Sequence, residues 1–442
     1  MDEQNKNLIL ATALSFAVIL VWFLLFPPPE ADPALENSVE MTQTEDGTSV
    51  PASPAETAAA PGADTGEGAA PEGRRAALAD APRVEIATDK VSGSISLMGG
   101  RIDDLKLNDY QTTLDENAEV VTLLSPEGSS DAYYALHGWA AGSGLGPDAV
   151  PGVDTLWTLS EGEALGVDSP VTLTWDNGAG QVFTRQISVD DEYMFDITQS
   201  ITNNGEAPVN LAPFGMIAQH GLPEDLKSFF ILHEGAVSMA NGELSEVDWD
   251  DIAEAEVNST WGRPAVVTEG VTEGWVGFTD HYWQAVLIPE AGETFEQALT
   301  YDPRADTYRA FTRQPTRSVA AGESVSTSSK FFAGAKEWET LQDYQSAGVA
   351  KFIDSIDWGW FFFLTKPIFW LLHNVSMARM KELQPEMEKL KKDAGDDRQK
   401  MQQGMMELYK KNKVNPAAGC LPILMQIPIF FSLYKVIFVT IV

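Results

Sequence analysis

The sequence predicts an α+β membrane protein. An N-terminal transmembrane anchor comes first, then a large antiparallel β-sandwich outside the membrane, then a helical membrane core. Three observations predict it. Residues 8–26, LILATALSFAVILVWFLLF, run for 19 residues without a charge. From 83 to 350 the chain reads as short alternating strands punctuated by turn signals. From 376 onward the charge reverses sign and apolar residues recur at helical spacing.

The first run, as a helix, spans about 28 Å, close to the thickness of a bilayer core. PPPEADPALE comes after it in place of a small-residue cleavage site, so it is read as an uncleaved anchor. Lys6 and the amino terminus precede it, and the next Lys or Arg is Arg74. The positive-inside rule then leaves 1–7 in the cytoplasm and sends the acidic body beyond residue 26 to the periplasm. Residues 27–82 are poor in aromatics and rich in Ala, Pro, Glu, Gly and Thr, the composition of a disordered tether.

The sandwich, 83–350, ends in a helix. VTLTW and QVFTRQISV flank the turn signal Asp176-Asn177-Gly178. Tyr193, Phe195, Ile197 and Ile201 alternate along YMFDITQSI, and Asn203-Asn204-Gly205 marks the next turn. Helical period returns near Trp338, Leu341 and Phe352. Little chemistry is legible here. The five histidines show no ligand spacing, and GSGLG at 142–146 is read as a plain loop. Aromatics gather around His281 in WVGFTDHYWQAVLIP, which fits a sandwich core or edge, or a peptide or sugar groove. Neither a cofactor nor a metal is expected.

Net charge is −36 and the sequence pI about 4.3, which excludes nucleic acid as a general partner. Cys420 is the only cysteine, so no intramolecular disulfide forms. Residues 351–375 include WGWFFFLTKPIFWLL, 15 residues that reach about 22 Å as a helix, short of the roughly 30 Å of a bilayer core. Its Trp358, Trp360 and Trp370 suit the lipid–water boundary, so the segment is read as a helix lying along the periplasmic face.

Residues 376–413 carry ten Lys and Arg against seven Asp and Glu. Met377, Met380, Leu383, Met387 and Leu390 form one helical stripe, and Met401, Met405 and Leu408 another, with Gly395-Asp396-Asp397 between them. The two helices make a basic hairpin, with Glu388/Lys392 and Glu407/Lys411 as i,i+4 pairs. Six of the 13 methionines lie in it. Flexible Met faces accept varied apolar partners, and two such stripes also pack on each other. Residues 414–442 end in a run long enough to span a membrane, interrupted by Pro422, Gln426, Pro428, Ser432 and Lys435.

MARMKELQPEMEKLKK, DDRQKMQQGMMELYKKNKVNP and AAGCLPILMQIPIFFSLYKVI resemble the cytoplasmic hairpin and adjoining transmembrane helix of the YidC/Oxa/Alb family of membrane protein insertases, in its Gram-negative form. The close match covers about 376–438; the anchor, acidic β domain and interfacial run match more loosely. The resemblance implies a periplasmic β-supersandwich and a helical insertase core with a polar groove. It implies non-covalent work without a catalytic residue: nascent membrane proteins are inserted into the bacterial inner membrane, alone or with the Sec translocon and its accessory subunits. By the same resemblance Gln426 lines the groove. Met380, Met387, Met401, Met405, Arg379 and Lys381 meet the ribosome, lipid or substrate at the hairpin.

Two departures stand out. The family has a complete helix between the interfacial segment and the hairpin, carrying a groove arginine. Here His373 leads through Asn374 and Val375 straight to Ser376, about 25 residues short of that pattern. The chain also stops inside the next family helix. The resemblance therefore implies an incomplete insertase core and a defective product. The competing readings are a membrane-anchored periplasmic binding or chaperone module and, with least support, a sugar-active periplasmic enzyme. A mere anchor has no use for a basic, Met-rich hairpin.

Overall fold

The computed structural model describes residues 69–113, 118–223, 226, 233–359, 362–363, 365–367 and 369–370. The chain enters through helix α1 (Ala69–Ala79) and then runs β1 (Arg83–Ala87), β2 (Val91–Ser96), β3 (Arg101–Gln111), β4 (Val120–Leu124) and β5 (Tyr133–Ala141). Next come β6 (Thr158–Glu161), β7 (Ala164–Leu165), β8 (Val171–Asp176), β9 (Gln181–Val189), β10 (Met194–Asn203) and β11 (Val209–His220). β12 (Gly235–Ala240) and β13 (Glu243–Val247) precede the short helix α2 (Trp249–Ala253) and β14 (Val257–Asn258). β15 (Arg263–Val271), β16 (Gly274–Thr279), β17 (Trp283–Pro289), β18 (Phe295–Asp302), β19 (Thr307–Arg313), β20 (Arg317–Val319) and β21 (Ser324–Ala335) complete the strands, and helix α3 (Trp338–Ser346) comes next.

The strands form two sheets. The 12-stranded sheet runs β14-β15-β18-β19-β11-β5-β3-β2-β1-β7, with β20 on β11 and β4 on β3. The nine-stranded sheet runs β13-β12-β16-β17-β21-β10-β9-β8-β6. Among the described residues the pairing of β1 with β7 is parallel and the others are antiparallel. This is the large antiparallel sandwich the sequence predicts.

Strand alternation explains the core. On β10, Phe195, Ile197 and Ile201 face inward, against Phe331 from β21 and Phe183 from β9. The facing sheet supplies Ile95, Ile102, Leu105, Leu211 and Ile217. β5 and β11 are buried nearly end to end, because both faces of their sheet are covered. Ala135, Trp139, Leu211 and Ile217 join the main core, while Tyr134, Leu136, Phe214 and Met216 form a second cluster on the opposite face with Trp261 and Phe311.

The turns obey their chemistry. Asp176 Oδ1 accepts the Gly178 N–H, and Asn177 Oδ1 accepts those of Ala179 and Gln181, while Gly178 takes φ 70°. Asn203-Asn204-Gly205 is also a turn, but it carries the chain from β10 in one sheet to β11 in the other. Near it, Asn203 Nδ2 donates to the carbonyls of Ala207 and Val319.

One buried cation joins the two layers. Arg185, on β9, is 2% exposed, and its guanidinium donates to the carbonyls of Gly99, Gly100 and His137 on the facing sheet. It lies 4.6 Å over the Trp157 ring. Gly100, at φ 63°, leaves room for it, since a Cβ there would collide with Nη1. Burial pushes the guanidinium down to about 9.

One boundary differs from the sequence reading. The composition of 27–82 predicts a disordered tether throughout, yet Ala69–Ala79 is helical. Its alanines favour a helix and Pro71 falls in the first turn, where proline is tolerated, while Gly73 works against it; Arg74 fixes it to the sheet. That guanidinium donates to Leu124 O and Ser125 Oγ and pairs with Asp104. Composition underrates such a segment because a single arginine, rather than apolar area, docks it.

We expect 83–350 to fold alone as a soluble domain. Circular dichroism of that fragment should show a β spectrum with a cooperative thermal transition; a helix-dominated or coil spectrum would refute this.

Candidate functional site

The route from the sandwich to the aromatic segment begins at β21, which lies between β17 and β10 in the nine-stranded sheet. It delivers the chain to α3. Glu337 stands at the helix N-terminus and makes no side-chain cap. Its Oε1 instead accepts hydrogen bonds from the Tyr110 hydroxyl at 2.7 Å and the Tyr193 hydroxyl at 2.9 Å. Burial, and then the Glu337 carboxylate, push both phenols well above the ordinary tyrosine range. Further along the helix, the Tyr344 hydroxyl donates to Asp190 at 2.8 Å and accepts the Tyr193 N–H. Leu341 is fully buried beneath it.

After α3 the chain turns through Gly348 (φ 111°) and Lys351 (φ 44°), whose Nζ donates to Gly242 O. A 3-10 turn, Phe352–Ser355, then plugs into the sandwich. Phe352 is fully buried, edge-on to Phe332 at 5.2 Å and Trp275 at 5.7 Å. The Trp275 indole donates to Ala350 O, and Gln284 donates to Ser355 Oγ. Asp357 Oδ2 accepts the backbone N–H of His233, and its Oδ1 accepts that of Gly359.

Beyond Gly359 the described residues, 362–363, 365–367 and 369–370, are helical. They fold back against the junction. Lys366 Nζ lies 2.7 Å from Asp354 Oδ1, 5.5 Å from the centre of the Phe362 ring and 5.9 Å from that of Trp358. The Phe369 ring packs 5.4 Å from Trp358 and 5.7 Å from Trp338 on α3. Thr365 Oγ1 donates to Trp358 O, and the Trp358 indole to Ile353 O. The aromatic side chains of the segment still keep much of their surface in solvent: Phe362, Phe363, Phe369 and Trp370 are 55%, 46%, 39% and 54% exposed. Large exposed aromatics gathered on one surface mark an interaction site.

The sequence-predicted residues divide accordingly. Trp358 and Trp370 both lie in this aromatic segment, with Trp358 on Phe369 and Trp370 facing outward. Trp360, Gln426, Met380, Met387, Met401, Met405, Arg379 and Lys381 lie outside the described residues. So do both runs predicted to span the membrane, 8–26 and 421–442; among the described residues no helix is long and apolar enough to cross one. The aromatic patch around His281 separates into Trp275 and Phe278, which are core, and Tyr282, 60% exposed near the β16–β17 hairpin tip. Half-buried beside that tip, Lys336 donates to Thr279 Oγ1 and Asp280 O, and desolvation pushes it down to about 8.

Sequence reasoning missed the clasp itself. Lys366 reads as an interruption of an apolar run, and nothing in the spacing pairs it with Asp354. The one available signal is that a lone cation among aromatics needs a partner.

Residues 83–371 match the family model of the YidC periplasmic domain. The chain belongs to the YidC family of membrane protein insertases. Residues 361–442 match the 60Kd inner membrane protein family, so the two matches overlap on the aromatic segment. The YidC insertase of Roseobacter denitrificans is 60% identical, with all of this chain and 77% of the relative covered. That of Ruegeria pomeroyi is 55% identical, again over all of this chain and 77% of the relative. The Roseobacter alignment runs 474 positions against 442 residues here, so at least 32 of its positions have no counterpart in this YidC-family chain. Among solved structures, a galactose mutarotase related enzyme from Lactobacillus acidophilus is similar to 57% of the chain, over 97% of its own length, at 10% identity and TM-score 0.39. A likeness that slight carries nothing about function.

Proposed function

We propose that the chain has the plan of a membrane protein insertase of the bacterial inner membrane, with the sandwich in the periplasm and the hairpin in the cytoplasm, and that as it stands it is defective in insertion. What carries the reading is the 60% identity, over the whole chain, to a protein named as a membrane protein insertase. The work is non-covalent. A charged or polar segment at the centre of a bilayer costs a few kcal/mol, and a wet groove lined by polar side chains lowers that cost. Gln426 is the groove residue in this reading. Nascent membrane proteins are the substrates, and the Sec translocon with its accessory subunits, the ribosome and lipid are the partners. The hairpin residues Met380, Met387, Met401, Met405, Arg379 and Lys381 meet the ribosome or anionic lipid, where their charge is favourable.

A photo-crosslinker at Gln426 tests the central claim. It should capture a ribosome-bound nascent membrane protein and not a nascent soluble protein; equal capture of both would refute the groove. For topology, a cysteine at Gln402 should stay unlabelled by a membrane-impermeant reagent applied to intact cells, and ready labelling would place the hairpin on the other side.

The proposal includes a defect. The family's helix between the interfacial segment and the hairpin has no room between His373 and Ser376. The alignment gaps are numerous enough to hold it.

A further inference from the structure

We propose that α1 is a detachable strap, and that the notch holding it is a guanidinium receptor that takes an arginine from a basic partner in place of Arg74. The proposal does not depend on the insertase reading.

The strap is held at one point. Gly73, Arg74, Ala77 and Leu78 are half-buried, and Arg75, Ala76 and Ala79 are exposed. Gly73 and Ala77 lie near Gly128 in the turn after β4, a contact between small groups that buries little apolar area. The 11 residues of α1 are also too few to stay helical by themselves. What fastens the helix is the Arg74 guanidinium. Its Nη1 donates to Ser125 Oγ at 2.6 Å and to Leu124 O at 3.2 Å, and its Nη2 pairs with Asp104.

The receptor belongs to the sheet and stays when the strap leaves. Asp104, on β3, is 8% exposed, and its Oδ2 accepts the Ser94 hydroxyl from β2 at 2.7 Å. Ser125 Oγ donates to Asp131 Oδ2 at 2.8 Å, so its proton is spent and its oxygen accepts from Arg74. The other arginines of this face are committed: Arg83 pairs with Asp103, and Arg101 with Glu127 and Asp103. Without Arg74, Asp104 would keep the neutral Ser94 hydroxyl as its partner among the described residues. That is costly for a carboxylate so little exposed. A second cation lowers the cost, and acceptors arranged around one planar fork favour a guanidinium over an ammonium. The chain before Ser376 holds 58 Asp and Glu against 18 Lys and Arg, which draws basic partners to it. Only Asp80 to Pro82 separate α1 from β1, so Arg74 competes at high local concentration. An incoming arginine therefore succeeds as part of a basic segment rather than alone.

The test uses the full chain in lipid discs, with a nitroxide at Ala76→Cys in a Cys420→Ser background. The electron spin resonance spectrum separates a restricted label on the docked strap from a mobile label on a released one. The unmodified notch should give a mainly restricted spectrum. Tri-arginine at millimolar concentration should convert it to the mobile form, and tri-lysine at equal charge and ionic strength should convert it far less. Asp104→Asn should raise the ratio of mobile to restricted label about tenfold, the effect of one charged hydrogen bond. It should also abolish the response to tri-arginine. Arg74→Gln leaves the sheet untouched and should release the strap equally, which keeps the test decisive if the Asp104 variant folds poorly. A label that stays restricted in Arg74→Gln would overturn the strap. Equal release by tri-arginine, tri-lysine and sodium chloride would overturn the receptor, since simple screening would then explain it.

Discussion

Cells depleted of their own insertase are expected not to grow on this chain extended by the C-terminal remainder of the Roseobacter relative. They are expected to recover once a spanning helix of the family type, about 25 residues as long as a bilayer crossing requires, is restored between His373 and Ser376. In the proposed topology the sandwich and the basic segment 376–413 lie on opposite sides of the membrane, so the chain between them has to cross it. Only 358–372 is available for that crossing, about one and a half turns short of a bilayer core. Its described residues are clasped to the sandwich by the Lys366–Asp354 pair and the Phe369 contacts. Drawing it across would break that pair and expose Lys366 to lipid, which costs about 3 kcal/mol on translocon scales. The resemblance also assigns the groove's arginine to the helix that is missing. Both arms carry the same C-terminal remainder, so they differ only at the internal junction. Growth of the unrestored arm, with the protein stably accumulated, would refute the defect.

Acid is expected to destabilise the sandwich strongly through one residue. His137 is 3% exposed, and its Nε2 has no hydrogen-bond partner among the described residues. Burial first, and then the Arg185 guanidinium, lower it from 6.5 to about 3. The unfolded chain therefore binds a proton that the folded chain refuses between those values. The stability from neutral His137 is full above pH 6.5 and is lost as pH falls toward 3, in total about 5 kcal/mol. Asp103 works in the opposite sense. Burial raises its carboxyl, against the pull of Arg83, so the folded state takes up that proton more readily as pH falls. Urea midpoints of the 83–350 fragment across this range should drop steeply, and His137→Phe should flatten the slope, with His137→Gln as the milder alternative. An unchanged slope in both variants would remove His137 as the cause.

Legibility of the fold tracks burial. β9 and β10 alternate plainly, because one face meets the core and the other is more open, and their turns carry Asn and Gly where positive φ or an Asx bond is needed. β5 and β11 show no alternation, since both faces are covered, and periodicity cannot register a two-sided strand. The path of the chain between the two sheets after Asn203 is not readable either; a turn signal gives a reversal and not a destination. At the candidate site, the interfacial tryptophans are legible as aromatic composition. The Lys366–Asp354 pair and the phenols on Glu337 are not, because each joins residues that only the fold brings together.

The position of β21 has a mechanical meaning. It is paired on one side with β10 from Thr202↔Ser324 to Met194↔Phe332, and on the other with β17 from Pro289↔Ser329 to Trp283↔Ala335. A load that reaches this strand along its own axis is shared by both ladders. Antiparallel ladder bonds lie across that axis, so they resist in parallel and must fail together. A strand at a sheet edge, pulled sideways, would instead peel one bond at a time. Under such a load the strand holds like a bracket bolted along its length rather than a pendant on a string.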